Sequence, residues 1–374
     1  MNTIYRQKLD RDDGQRTEIL IGQRLLGSSE AREHLGTWLE DRTLFVLSTP
    51  RVTELHGAAL EDLCAGAKRR VDLEVEDGEG AKSVAQAARL WQEMLEQGGK
   101  RDSRLLAFGG GCVTDLGGFV AGCFLRGIDF VQVPSTLLAQ VDAAIGGKTG
   151  VDLPDGKNTV GLFRHPHAVL SDTTLLTTLP RGELRSGLVE VVKMAALLDV
   201  DLLGEVELRL EKLLAGDAEA LGPVVSAASA AKCRVVEEDF REGGRRRLLN
   251  FGHTLGHAIE GALGYEGLSH GDAVAYGLLF VCRLARRRGL GGPVQERLVP
   301  LLDRFGLPPL PELDPATLWE FMTRDKKATE SGIAWVLPVD LGHGETFRDV
   351  GRAEVMAEIE AFLSDPWDEK SKTF

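Results

Sequence analysis

Along the first half of the chain, short apolar runs alternate with stretches of helical period. Glu18–Gly22, Thr43–Ser48, Arg70–Val75, Arg104–Phe108, Asp129–Pro134 and Ala168–Asp172 are such runs. Runs this short, rich in Val, Leu and Phe, predict strands, the most apolar of them covered on both faces. Between them, Ser28–Glu40 reads as a helix with serine at its cap, and a second helix falls around Glu54–Ala65. Ser83 is placed to cap a third helix through Gln97. Strands alternating with helices predict an α/β domain built on a parallel sheet. Residues 1–17 are polar with mixed charge and read as a mobile arm or an edge strand.

After Pro180 the pattern changes. Glu183–Leu198, Leu202–Leu214, Ala218–Glu237, Thr254–Leu263, Gly271–Arg288 and Val294–Phe305 carry helical periodicity, and strand signals nearly vanish until Ile333–Leu337. The chain thus divides into an α/β domain at 1–180 and a mostly helical domain at 181–374, with 364–374 as a frayed tail. At 374 residues it is long enough for two domains.

Composition narrows the function. The formal net charge of −13 argues against a nucleic-acid partner, which needs a basic surface. No apolar run reaches the ~18 residues that span a membrane, and the N-terminus lacks the apolar core of a signal peptide. The five cysteines are scattered and odd in number, so a reducing cytoplasm suits them better than a disulfide framework.

Three stretches carry candidate chemistry. Asn250–His270 holds three of the eight histidines; His253 and His257 are four apart and share a helical face. Imidazoles converging in this way suit zinc or a similar ion, although paired histidines are also common as ordinary surface or core residues. Glu190 and Lys193, three apart in GLVEVVK, are either a helical salt bridge or a carboxylate ligand beside a cation. Arg104–Phe108 followed by GGGCVTDLGG is strand, glycine turn and helix, a shape that admits a phosphate although it is not a GxGxxG fingerprint. Ser135–Asn158 is glycine-rich and carries Asp142, Lys148, Lys157 and Asn158, which points to an anion site in a loop.

Taken together, GGGCVTDLGGFVAG, LRGIDFVQVPSTLLAQVDAAIGGKTGV, GKNTVGLF, DTTLLTTLP, GLVEVVK, RRLLNFGHTLGHAIE and LSHGDAVAYG resemble the 3-dehydroquinate synthase family of sugar-phosphate cyclases. The resemblance runs from about Asp77 to about Leu337. It implies a Rossmann-like N-terminal domain binding NAD, a helical C-terminal domain binding zinc or cobalt, and substrate between them. The implied reaction turns 3-deoxy-D-arabino-heptulosonate 7-phosphate into 3-dehydroquinate and phosphate. It proceeds through transient oxidation by NAD, elimination, return of the hydride and an intramolecular aldol closure.

The resemblance also assigns residues. Glu190, His253 and His270 match the metal ligands, and His257 matches a proton-transfer histidine. Lys148, Asn158, Lys193, Lys232, Arg246 and Asn250 match substrate positions, and Asp142 an acid near nicotinamide and substrate. Arg126 matches an arginine that family members contribute across a dimer interface, which implies a homodimer. Lys326 or Lys327 supplies one more lysine, with Lys327 taken for that role. Glu79, Lys82, Gly110, Gly111, Asp115, Ser135, Thr136, Lys148, Lys157 and Thr178 match the cofactor side.

Two positions depart from the pattern. Thr49 stands where the family carries an acid or amide for the adenine ribose, and CVTD after the glycine turn is nearer to cyclases acting on sedoheptulose 7-phosphate. Such a cyclase, a metal-dependent polyol dehydrogenase and a non-catalytic binding protein are the competing readings. GGKTG, Asn250, His257 and the DKK lysines favour the dehydroquinate synthase pattern.

Overall fold

A computed structural model describes residues 3–10, 16–154, 156–324 and 333–367. In chain order the elements are β1 (Ile4–Asp10), β2 (Arg16–Gly22), α1 (Ser29–Leu39), β3 (Thr43–Ser48), α2 (Pro50–His56), α3 (Ala58–Cys64) and β4 (Arg69–Glu74). Next come α4 (Val84–Glu96), β5 (Arg104–Gly109), α5 (Gly111–Cys123), β6 (Asp129–Pro134), β7 (Lys148–Leu153), β8 (Gly156–Phe163) and β9 (Ala168–Asp172). The second half holds α6 (Arg181–Leu198), α7 (Val200–Leu214), α8 (Ala218–Glu238), α9 (His253–Ala262), α10 (His270–Arg287) and α11 (Gly292–Arg304). It closes with α12 (Pro315–Arg324), the hairpin β10 (Trp335–Asp340) and β11 (His343–Phe347), and α13 (Arg352–Ser364). The chain packs as two compact units: Met1–Pro180 with Gly216–Glu237, and Arg181–Ala215 with Glu238–Phe374. Helix α8, in the second half by sequence order, therefore packs with the first unit.

The first unit is organised by one sheet in the order β1-β2-β9-β6-β5-β3-β4. From β2 to β4 all neighbours run parallel, and β1 closes one edge antiparallel to β2. Alternation along β3 shows why its sequence is continuously apolar. Leu44 and Val46 face a core with α1 and α3, whereas Phe45 and Leu47 face one with α4 and α5. The N-terminal arm is thus an edge strand where it is described. The helix expected over Glu54–Ala65 is two short helices, α2 starting on Pro50 with Thr49 as its cap. The Ser135–Asn158 stretch is not a plain loop: it contains a π-helical turn at Ala139–Ala143 and most of the β7–β8 hairpin.

The second unit is mainly helical, as its periodicity predicts, with β10 and β11 the strands among its described residues. Its centre is α10, buried from Gly271 to Ala285 and packed on α6, α9, α11 and α13. Helices α9 and α10 cross so closely that a Cβ on Gly277 would lie 1.9 Å from the Gly252 carbonyl oxygen. Lys326 and Lys327 lie outside the described residues, as do 368–374 of the expected tail.

Gly277→Ala should therefore cost about 3 kcal/mol, the upper part of the range for overpacking a core. Gly36→Ala in α1, where a Cβ meets open space, should instead gain about 0.5–1 kcal/mol. Urea unfolding midpoints of the two variants check the contrast, and equal effects would contradict the close crossing.

Candidate functional site

In the second unit, α6 carries Glu190 in mid-helix, fully buried. Lys193, one turn further on, is 2% exposed, and its ammonium binds Glu190 Oε2. Helices α9 and α10 begin on His253 and His270, so both imidazoles sit at helix N-termini rather than within the helices. Their Nε2 atoms lie 3.7 and 3.8 Å from Glu190 Oε1. That oxygen is buried without a hydrogen-bond partner among the described residues. The separations are too long for hydrogen bonds. They suit three ligands around a shared ion, whose donors stand roughly 3.3–3.6 Å apart at zinc–ligand distances of about 2.0–2.2 Å. The donor set of two nitrogens and one oxygen therefore fits zinc or cobalt.

His257 lies one turn along α9, its ring centroid 5.2 Å from that of His253 and 5.9 Å from that of His270. It falls outside the Glu190 group. His253 Nδ1 faces the Phe251 carbonyl at 3.2 Å, and His270 Nδ1 faces Glu260 Oε2 at 3.0 Å. Burial pulls the His270 pKa down, but the hydrogen bond and charge of Glu260, with Glu190, outweigh it and leave it above the ordinary value. Sequence reading missed Glu260. The available signal was spacing, since His253, His257 and Glu260 at i, i+4 and i+7 share one face.

The N-terminus of α10 is clamped to α6. Arg185 donates to both oxygens of buried Asp272, at 2.7 and 3.0 Å, and the Gly271 N–H donates to Ser186 Oγ at 3.0 Å. A Cβ on Gly271 would lie 2.3 Å from the Ser186 Cα, so only glycine lets the helices meet here. Arg246 and Asn250 lie on a 3-10 segment, Arg245–Asn250. The loop before it is folded around Asp239, which accepts backbone N–H bonds from Gly243, Gly244 and Arg246 at 2.7–3.0 Å. Arg246 is 1% exposed and donates to the Phe240 carbonyl; Asn250 donates to Glu242 at 2.7 Å.

In the first unit, two of the expected cofactor residues, Glu79 and Asp115, gather on a third, Lys82. Lys82 Nζ lies 2.7 Å from Asp115, 3.5 Å from Glu79 and 2.5 Å from Asn158 Oδ1. Burial lowers the Lys82 pKa, but Asp115 and Glu79 reverse this and hold it above the ordinary value. Asn158 takes a left-handed backbone (φ 52°), its N–H on Asp152 Oδ1. Cys112, on the first turn of α5, donates to Glu79 at 3.1 Å. Lys232 of α8 donates to the carboxylate and carbonyl of Asp142, both at 2.5 Å, and its charge also reaches Asp115.

Gly110 and Gly111 open α5; the Ser135 N–H donates to the Gly109 carbonyl, and Thr136 Oγ1 accepts from Ala139 N–H. Lys148 and Lys157 lie on β7 and β8. Thr178 is paired with His56 at 2.8 Å. Arg126 follows the far end of α5, whose axis runs about 18 Å from Gly111 to Cys123. Leu125 and Arg126 are consecutive non-glycine residues with φ of 50° and 73°.

Comparison with known proteins places these features in a family. Models described as 3-dehydroquinate synthase N-terminal and C-terminal match residues 72–186 and 187–328. The 3-dehydroquinate synthase of Symbiobacterium thermophilum is 43% identical over 357 residues, covering 93% of this chain and 98% of that one. Among solved structures, 2-deoxy-scyllo-inosose synthase complexed with carbaglucose-6-phosphate, NAD+ and Co2+ superposes with a TM-score of 0.84 at 25% identity. That match covers 96% of this chain and 99% of that one. A 2-epi-5-epi-valiolone synthase from Streptomyces hygroscopicus subsp. jinggangensis, with NAD+ and Zn2+ bound, gives a TM-score of 0.84 at 27% identity, covering 93% and 97%.

The Lys82 cluster yields a stability test. Burial raises the Asp115 pKa, and Lys82 works against that rise. Lys82→Met should cost about 3 kcal/mol near pH 7, because it leaves a carboxylate in a buried site without its cation. A carboxyl whose folded pKa exceeds its unfolded value destabilises increasingly as pH rises, so the deficit should shrink as pH falls across the acid range. Denaturation of both proteins across that range checks it, and a constant deficit would contradict it.

Proposed function

The chain belongs to the 3-dehydroquinate synthase family, and from that membership we propose that it converts 3-deoxy-D-arabino-heptulosonate 7-phosphate into 3-dehydroquinate and phosphate. The observation that carries the reading is the oxygen of Glu190, buried without a hydrogen-bond partner among the described residues and facing two imidazole nitrogens, with Lys193 on the carboxylate's other oxygen. Glu190, His253 and His270 would hold a divalent cation, zinc or cobalt, and the first unit would hold NAD. When bound, the cation supplies a Lewis acid that acidifies a substrate hydroxyl, and NAD supplies a hydride acceptor that the same turnover restores.

The chain's own residues do the rest. Lys193 and Arg246 are cationic side chains at 2% and 1% exposure, and an anionic substrate can share such charge where a neutral polyol does not. This favours a sugar phosphate over a polyol. His257, outside the Glu190 group, is the imidazole left to carry a proton to and from substrate. Asn250, held by Glu242, and Arg246, held by the Phe240 carbonyl, are preset to orient substrate oxygens. Lys148, Asn158, Asp142 and Lys232 are the substrate-facing groups of the first unit. Glu79, Lys82, Gly110, Gly111, Asp115, Ser135, Thr136, Lys157 and Thr178 form its cofactor side. Lys327 completes the set from outside the described residues. Five free thiols suit a reducing cytoplasm, and no described helix is long and apolar enough to cross a membrane.

The active form is a homodimer, with Arg126 serving the partner's site. Two consecutive left-handed non-glycine residues store strain that persists where surrounding structure over-determines it, and such strain gathers at functional sites. The distance along α5 keeps Arg126 from the glycine turn of its own chain.

Two outcomes test these assignments. With NAD and zinc, the protein should release phosphate from the heptulosonate phosphate, give a product of dehydroquinate mass and accumulate no NADH. Release from sedoheptulose 7-phosphate alone, or stoichiometric NADH, would overturn the reading. Arg126→Ala and His257→Ala should each be nearly inactive alone. Mixed and re-equilibrated, they should recover about a quarter of wild-type activity, since half of the dimers are mixed and each has one complete site. Mixed dimers, seen by mass, that stay inactive would place Arg126 in its own subunit's site or outside both.

A further inference from the structure

Helix α9 directs three polar side chains along one face: His253, His257 and Glu260. Two have roles in the reading above, and Glu260 has none. It is 5% exposed, a degree of burial that a carboxylate tolerates only with compensation. Its Oε2 lies 3.0 Å from Nδ1 of His270, whose Nε2 faces Glu190 Oε1 at 3.8 Å.

We propose that Glu260 is a positioning residue for the metal site: it accepts the Nδ1–H of His270 and so fixes that ring with Nε2 toward the ion. The inference rests on the metal-site reading. A histidine that binds a metal through one nitrogen donates from the other, and the acceptor sets both ring orientation and ligand basicity. The two imidazoles are then held unequally. A neutral carbonyl, that of Phe251, backs His253, while a full negative charge backs His270. The carboxylate makes His270 the stronger donor. It also holds a ring that begins its helix and has no preceding turn of α10 to pack against.

Glu260 also belongs to a second group, with His257 and His270, whose ligand atoms lie within 4.8 Å of one another. If that group bound an ion, His270 would have to give up the proton on Nδ1 or turn away from Glu190. At 3.0 Å the Nδ1–Oε2 contact has the length of an ordinary hydrogen bond. Glu260 is therefore an acceptor rather than a ligand.

The test uses full-length protein with Co2+ as the probe and chelator competition as the readout. NAD binding and thermal midpoint serve as folding controls. Glu260→Ala should weaken Co2+ binding by about 10–100-fold and alter the visible absorption bands. Glu260→Gln, whose amide oxygen can still accept from Nδ1, should keep the bands and lose less affinity. Should the alanine variant fail to fold, proton–nitrogen NMR of histidine-labelled wild type and Glu260→Gln, loaded with Zn2+, decides the matter. His270 should show a protonated Nδ1 whose resonance moves upfield in the glutamine variant. Three outcomes would overturn the proposal: Co2+ affinity and bands unchanged in folded Glu260→Ala, a deprotonated Nδ1, or two ions per chain with Glu260→Ala removing one. Wild-type protein that binds no Co2+ would overturn the metal-site reading as well, which separates the two failures.

Discussion

A carboxylate with no exposed surface, in the middle of an apolar helix, is the most demanding feature of the second unit. Left alone, Glu190 would carry the full cost of a charge removed from water. Lys193 answers one of its oxygens, and the other is aimed at two imidazoles. Much of the neighbouring structure serves to keep that arrangement in register. The Arg185–Asp272 clamp and the Gly271–Ser186 contact fix α10 on α6, and so fix His270 relative to Glu190. The close crossing at Gly277 fixes α9 on α10, and so fixes His253 relative to His270. Breaking either contact would separate groups that compensate one another only at short range.

The first unit follows the same logic with the charges reversed. Here the buried group is an ammonium, Lys82, ringed by Asp115, Glu79 and Asn158, while Lys232 is answered by Asp142. Buried ion pairs add little net stability compared with apolar packing. In the proposed reading they hold charge ready, without reorganisation, for a ligand that would share it. Each unit thus keeps cations at low exposure beside the residues assigned to cofactor, metal or substrate.

Much of this was legible in sequence because the informative positions are periodic. The apolar runs of the parallel strands and the helical period after Pro180 both reflect burial, which repeats regularly. His253 and His257 were readable for the same reason, four apart on one helix. The division of labour proposed for them was not: it depends on Glu190, more than sixty residues earlier, and only the family resemblance supplied that link. Glu260 went unread because a glutamate on a helix is ordinary until its partner is known. The β7–β8 hairpin was hidden by its glycines, which read as loop, although Gly150 and Gly161 face each other across the strands where any side chain would crowd the opposite backbone. The antiparallel β1 was obscured by its polar residues, as expected of a half-exposed edge. Helix α8 shows a different limit, since periodicity reveals a helix but not the unit it packs with.

The central claim is that Glu190, His253 and His270 share one divalent ion while His257 stays free of it. Anomalous X-ray scattering at the zinc edge, from crystals grown with stoichiometric zinc, tests this directly. The account predicts one peak per chain, about 2.0–2.2 Å from Glu190 Oε1 and from Nε2 of His253 and His270. A peak bonded to His257, or zinc found only on surface residues, would contradict it.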